Sequence, residues 1–152
     1  MTMYARNASP AFDVDFKPKK RRRPTPQWSE IKLLEQISPW VIDCLRRIAS
    51  FAELEEGWDS YGSSRIQPAA VMAATKFISE IPVERVPEPS VSPVAGGGIG
   101  FHWRVGDRDL EIEFLPNGTA EYLKTRGKTS DEGILSDFSD RSLWRWLAEE
   151  RA

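Results

Sequence analysis

Between Gly100 and Lys124, apolar and polar side chains alternate in three runs. The runs are Gly-Phe-His-Trp-Arg-Val, Arg-Asp-Leu-Glu-Ile-Glu-Phe-Leu and Thr-Ala-Glu-Tyr-Leu-Lys, separated by Gly106-Asp107 and Pro116-Asn117-Gly118. Period-two alternation broken by glycine-bearing turns predicts an antiparallel meander. With Gly106-Asp107 as a two-residue type II′ loop, Trp103 faces Leu110, Phe101 faces Ile112 and Ile99 faces Phe114 on one side. On the other side Arg104 faces Asp109 and His102 faces Glu111. A slip of one residue would turn every apolar side chain outward, so both faces support a single register. A type I turn with Gly118 at a left-handed bulge position then sets Tyr122 beside Ile112 and Ala120 beside Phe114. It also sets Glu113 opposite Glu121, a like-charge pair that costs stability unless it is solvated or bound.

Upstream the period changes to that of a helix. Trp28, Ile31, Leu34 and Ile37 recur at helical spacing. Ser38-Pro39 reads as a second start, with Ser38 as N-cap and Pro39 in the first turn. Val41, Cys44, Leu45, Ile48 and Ala52 then form one stripe, predicted to end near Glu56 with Gly57 as the left-handed cap. Cys44 on that stripe reads as a buried, inert thiol rather than a nucleophile. A third helix is predicted from Pro68, with Val71, Met72, Thr75, Ile78 and Ile81 inward. Pro82 to Pro89 reads as a linker, and Val91 to Val94 as a strand kept to a sheet edge by Pro93. Ala95 to Gly98 reads as the hairpin loop that follows; it lacks the lysine and helix of a phosphate-binding loop. Thr125 to Phe138 is polar and reads as a mobile connection. Ser139 is then placed to cap a short final helix carrying Leu143, Trp144 and Leu147.

The predicted class is α+β: an antiparallel meander of about four strands, two or three helices packed on one face, and a disordered basic N-terminal arm. Residues 1–26 form the arm, 27–124 the globular body, and 125–152 a polar linker with a short C-terminal helix.

Charge sharpens this division. The chain has 152 residues and a net charge of -2. Lys17, Lys19, Lys20, Arg21, Arg22 and Arg23 are six of its 21 Lys and Arg, leaving 15 against 23 Asp and Glu elsewhere, about -8. A basic arm is thus attached to an acidic body. Such a run can neutralise phosphates without reading base sequence, or can be a solvated tail that folds back on the body. Phe12-Asp-Val-Asp-Phe16 could add an edge strand or meet a partner. No apolar run approaches the roughly 20 residues of a membrane span. The first 16 residues lack the apolar core of a secretory signal. One cysteine excludes an internal disulfide, and the expected setting is the cytoplasm.

Two stretches offer partner-binding aromatics. In Glu56-Gly-Trp-Asp-Ser-Tyr-Gly62, Trp58, Asp59 and Tyr61 read either as a helix–helix corner or as a docking surface, since Trp and Tyr are favoured anchors. In the final helix Trp144 and Trp146 point to different faces, so that helix either docks on the body or serves as a partner's handle. Leu54-Glu-Glu-Gly-Trp-Asp-Ser-Tyr-Gly62, the Pro-started helix, Pro89-Ser-Val-Ser-Pro93, the Gly-rich turn and Phe101-His-Trp103 together resemble a family of small uncharacterised bacterial proteins with a Trp-Asp-x-Tyr-Gly motif. The resemblance covers roughly residues 54–123. It implies a bacterial or mobile-element protein, supplies no catalytic residues, and does not extend to the basic arm.

His102 is the single histidine. Beside Glu111, with Glu113 and Glu121 farther along, it could bind a divalent metal or act as a general base, or simply form a cross-strand ion pair. No nucleophile elbow, phosphate-binding loop, dinucleotide fingerprint or zinc spacing is present. The sequence therefore points to a non-catalytic binding protein without cofactors, antitoxin-like or an adaptor, whose acidic body engages a protein partner. A nucleic-acid-binding protein using the arm is the alternative, and a metal-dependent hydrolase at His102 and Glu111 is a second.

Overall fold

A computed structural model describes residues 37–149. The elements in chain order are α1 (Pro39–Phe51), α2 (Pro68–Glu80), a 3₁₀ turn (Val83–Arg85), β1 (Ser90–Val94), β2 (Gly98–Val105), β3 (Arg108–Phe114), β4 (Ala120–Arg126), β5 (Thr129–Ile134) and α3 (Ser142–Ala148). The strands form one antiparallel sheet in the order β1-β2-β3-β4-β5. The fold is α+β, and among the described residues no helix is long and apolar enough to cross a membrane.

The register of the meander is the one its alternation dictates. Ile99 pairs with Phe114, Phe101 with Ile112, Trp103 with Leu110, and His102 with Glu111. Ile112 pairs with Tyr122, Phe114 with Ala120, and Glu113 with Glu121. Gly106 has φ +61, and Ser60 is the only described non-glycine residue with positive φ. Asp107 therefore has negative φ, which makes this loop type II′ rather than I′. At the next turn the Gly118 amide donates to the Leu115 carbonyl at 2.8 Å and the Leu115 amide to Thr119 at 2.8 Å, with Gly118 at φ +86.

The polar segment after Lys124 is not a linker. β4 runs on to Arg126, Gly127 (φ +58) opens a second two-residue loop, and Thr129–Ile134 adds a fifth strand. The strand is missed by alternation because five of its six residues are polar or glycine and it contributes little to the core. Its pairing rests on backbone hydrogen bonds and on Lys124–Asp131, at 2.9 Å. The final helix starts at Ser142, not after Ser139. Ser139 instead donates its amide to Asp137 Oδ1 at 2.9 Å, and Asp140 Oδ1 accepts the Ser142 amide at 2.9 Å.

The three described α-helices lie on one side of the sheet. Phe77 of α2 sits at the centre, with its ring 5.6 Å from Phe101, 6.3 Å from Trp103, 5.3 Å from Phe114, 5.6 Å from Phe138 and 5.9 Å from Trp144. α2 is phased differently from the bulky-residue pattern. Ala70, Ala74, Phe77 and Ile78 are buried, whereas Met72 is 72% exposed. The reason is spatial: α2 packs against both α1 and the strands β2 and β3, and alanines let backbones approach. α1 stops at Phe51 rather than near Glu56: beyond it the Glu53 amide donates to the Ser50 carbonyl at 3.2 Å and the Leu54 amide to the Phe51 carbonyl at 3.2 Å, a pair of turns in place of another helical turn. The Ser38 carbonyl accepts from Val41 at 3.0 Å, but its hydroxyl caps nothing. The periodicity of Trp28 to Ile37 lies outside the described residues apart from Ile37 itself.

Cys44 is buried in α1. Burial, then the charge of Glu88, pushes its thiol up to about 11. Thiolate is the reactive form, so thiol labelling of the native protein near neutral pH is expected to be slow and to track unfolding. Labelling as fast in native buffer as in denaturant would contradict this placement.

Candidate functional site

The corner from Glu56 to Gly62 is closed by its own hydrogen bonds. The Gly57 amide donates to the Ser63 carbonyl at 2.7 Å, closing the loop on itself. Asp59 Oδ1 accepts the amides of Tyr61 at 3.0 Å and Ser63 at 3.1 Å, and Asp59 Oδ2 accepts the Ser63 hydroxyl. Trp58 packs half-buried on the core, and its Nε1 donates to the Ser64 carbonyl at 3.1 Å. Trp58 and Asp59 are thus engaged within the corner, whereas Tyr61 is 93% exposed.

The hydrogen bond from the Ser63 hydroxyl, then those from the Tyr61 and Ser63 amides, hold the Asp59 carboxyl below 3.8. A carboxyl depressed in the folded state stabilises the fold above its unfolded value and loses that contribution as pH falls through the folded value. Acid destabilisation attributable to Asp59 is therefore expected below about pH 3.8. Urea midpoints of wild type and Asp59→Asn should converge on acidification. A constant gap between the two curves would contradict it.

The final helix docks on the body. Trp144 is buried in the core, with its ring 5.1 Å from Trp103, so it is not a free anchor for a partner. Trp146 is half-buried, with Arg108 5.8 Å and Lys124 5.6 Å from its ring centroid. Arg108, a buried cation absent from the sequence reading, reaches the end of this helix. Its Nη1 donates to the Glu149 carbonyl, and Nη2 lies 3.5 Å from Glu149 Oε2. Cations suit the negative end of a helix, where carbonyls lack partners.

His102 occupies its expected place opposite Glu111 but bonds elsewhere. Its Nε2 is 2.9 Å from Asp109 Oδ1, the same oxygen that accepts Arg104 Nε at 2.9 Å. These two bonds, Arg104 first, hold the Asp109 carboxyl below its usual range. The imidazole, though paired in register with Glu111, is therefore bonded into a cluster with Asp109 and Arg104, whose own register row lies next to it. Among the described residues no group of three or more His, Cys, Asp or Glu is placed to hold a metal ion.

Among the described residues, the surface left uncovered is the other side of the sheet. Strand alternation places Glu111, Glu113, Glu121, Leu123, Glu132 and Ile134 on it. Two rows cross it: Glu111, Leu123 and Glu132 in one, and Glu113, Glu121 and Ile134 in the next. These six residues line a cavity of about 480 Å³. Ile134 is 66% exposed. Among the described residues none of the four glutamates forms an ion pair. Glu113 and Glu121 were legible as a like-charge pair, but Glu132 and Ile134 join them only because β5 pairs with β4. Lys17, Lys19, Lys20, Arg21, Arg22 and Arg23 lie outside the described residues. No family matches this chain, and no curated protein or solved structure is significantly similar to it.

Proposed function

We propose that this chain is a non-catalytic binding protein, antitoxin-like or an adaptor, whose open sheet face takes a lysine- or arginine-rich segment of a protein partner. The reading rests on one arrangement: four glutamates without ion-pair partners among the described residues, set around Leu123 and Ile134 on a face that none of the described helices covers. Like charges on neighbouring strands destabilise a sheet, and a cationic segment removes that cost. The two aliphatic side chains give an apolar residue of the segment a place to sit. Charge complementarity of this kind sets orientation and association rate more than raw affinity.

A fluorescent peptide alternating lysine and leucine tests the proposal. It should bind saturably to the full chain and weaken as salt rises. Glu111→Gln, Glu113→Gln, Glu121→Gln and Glu132→Gln together should weaken it by about tenfold or more, given that charge pairs at interfaces are worth about 1.5 kcal/mol upward. Ile134→Ser should weaken it without changing its salt dependence. Deletion of residues 1–26 should leave it intact. Unaltered binding by the quadruple variant would sink the proposal, and so would loss of binding on deletion of residues 1–26.

A further inference from the structure

On the helical side of the sheet, away from the glutamates, a second cavity of about 370 Å³ lies between α3 and the turn that follows α2. Arg85, Arg141 and Arg145 line it, with Pro82, Trp144 and Ala148 as its apolar wall. We infer that this cavity is a binding site for a small phosphate monoester.

The placement of the three arginines is fixed by local structure. Arg141 precedes α3, and Arg145 lies one turn on, its amide donating to the Arg141 carbonyl at 3.0 Å. Residues four apart on a helix project to the same side. Arg85 ends the 3₁₀ turn, where its amide donates to the Pro82 carbonyl at 3.1 Å. Among the described residues none of the three has an ion-pair partner. Glu149, also on the cavity wall, is directed to Arg108. Three like charges converging on one concavity repel one another, and a bound anion reverses that term.

The chemistry of the arginines selects the anion. Each guanidinium carries five N–H donors in a planar fork that matches phosphate oxygens two at a time. Three forks offer more donors than a single carboxylate can accept, whereas a phosphate dianion presents three oxygens. The volume falls within the range of about 300–1,000 Å³ typical of small-molecule sites. Trp144 is only 5% exposed, so the wall is held by the core rather than by the ligand. A short organic stem on the phosphate would meet Pro82 and Ala148.

Phenyl phosphate, inorganic phosphate and benzoate are the probes, titrated into the full chain by calorimetry and by amide NMR. Phenyl phosphate should bind saturably and about tenfold more tightly than benzoate, since bidentate charged hydrogen bonds are the strong ones. Inorganic phosphate should bind more weakly than phenyl phosphate because it lacks the stem. Shifts should concentrate at residues 82–85 and 141–149. Arg141→Gln with Arg145→Gln, and separately Arg85→Gln, change exposed side chains and should melt like wild type while weakening phenyl phosphate by about tenfold or more. Absence of saturable binding, equal affinity for benzoate, or unchanged affinity in both variants would overturn the inference. Retention of a 5′-phosphorylated oligonucleotide without binding of phenyl phosphate would also overturn it, in favour of a nucleic-acid contact.

Discussion

Phe77→Ala is expected to lower folding stability by about 3–5 kcal/mol, the range for removing a large aromatic from a packed interior. Phe77 is 1% exposed, and among the described residues its ring meets rings on α3, on the segment before it and on strands β2 and β3. Its removal deletes transfer energy and also leaves a hole that five neighbouring rings must close. Those rings are on the sheet, on α3 and on the segment before it, and the sheet backbone cannot shift without breaking its register. Collapse is therefore limited, which places the cost toward the upper end of that range. Phe77→Leu keeps most of the volume and should cost about 1.5 kcal/mol or less. With a urea m-value of about 1–3 kcal/mol/M, the alanine variant should lose at least about 1 M of midpoint. A loss no larger than that of the leucine variant would show that this ring is not the centre of the core.

Gly97→Ala is expected to cost about 2–4 kcal/mol, from backbone strain together with a displaced hydrogen bond. Gly97 has φ +101, outside the comfortable range of an L residue. A Cβ there would stand 2.7 Å from the Arg65 carbonyl oxygen and 3.1 Å from Gln67 Cγ. The first of these is backbone and cannot swing aside. Its displacement would also break the bond from the Gln67 amide to the Gly97 carbonyl, at 2.9 Å, which ties the start of α2 to the β1–β2 hairpin. Gly96 separates the two causes, because it has φ +92 but nothing within 4 Å of its Cβ position. Gly96→Ala should therefore carry the strain alone, about 1–3 kcal/mol. Equal destabilisation by the two substitutions would show that the contact with residues 65–67 contributes nothing.

The candidate face illustrates how far a sequence can be read. Glu111, Glu113 and Glu121 were placed on one side of the meander by alternation alone, and the like-charge meeting of Glu113 with Glu121 followed from a turn. The remaining residues of that face were not legible. Thr129 to Ile134 carries almost no apolar signal, and only the Gly127-Lys128 loop marks it as the second arm of a hairpin. Trp144 and Trp146 were read as candidate anchors because a lone helix shows which faces exist, not which is covered. Trp58 and Asp59 were open to two readings because a tight turn and a docking surface favour the same residues.

Three things were determined by the sequence alone: the register of β2, β3 and β4, the starts of α1 and α2, and the apolar burial of Cys44. Each depends on neighbours a few residues apart, where side-chain period and turn chemistry act directly. Tertiary structure decided the phase of α2, the fifth strand, the docking of α3, the burial of Arg108 and the pairing of His102 with Asp109. The phase of α2, the docking of α3 and the burial of Arg108 depend on which distant surfaces meet, and so on shape and volume, with alanines inward where two backbones must approach. β5 and the His102–Asp109 bond are hairpin contacts, set by backbone groups that need partners and by which carboxylate the imidazole reaches.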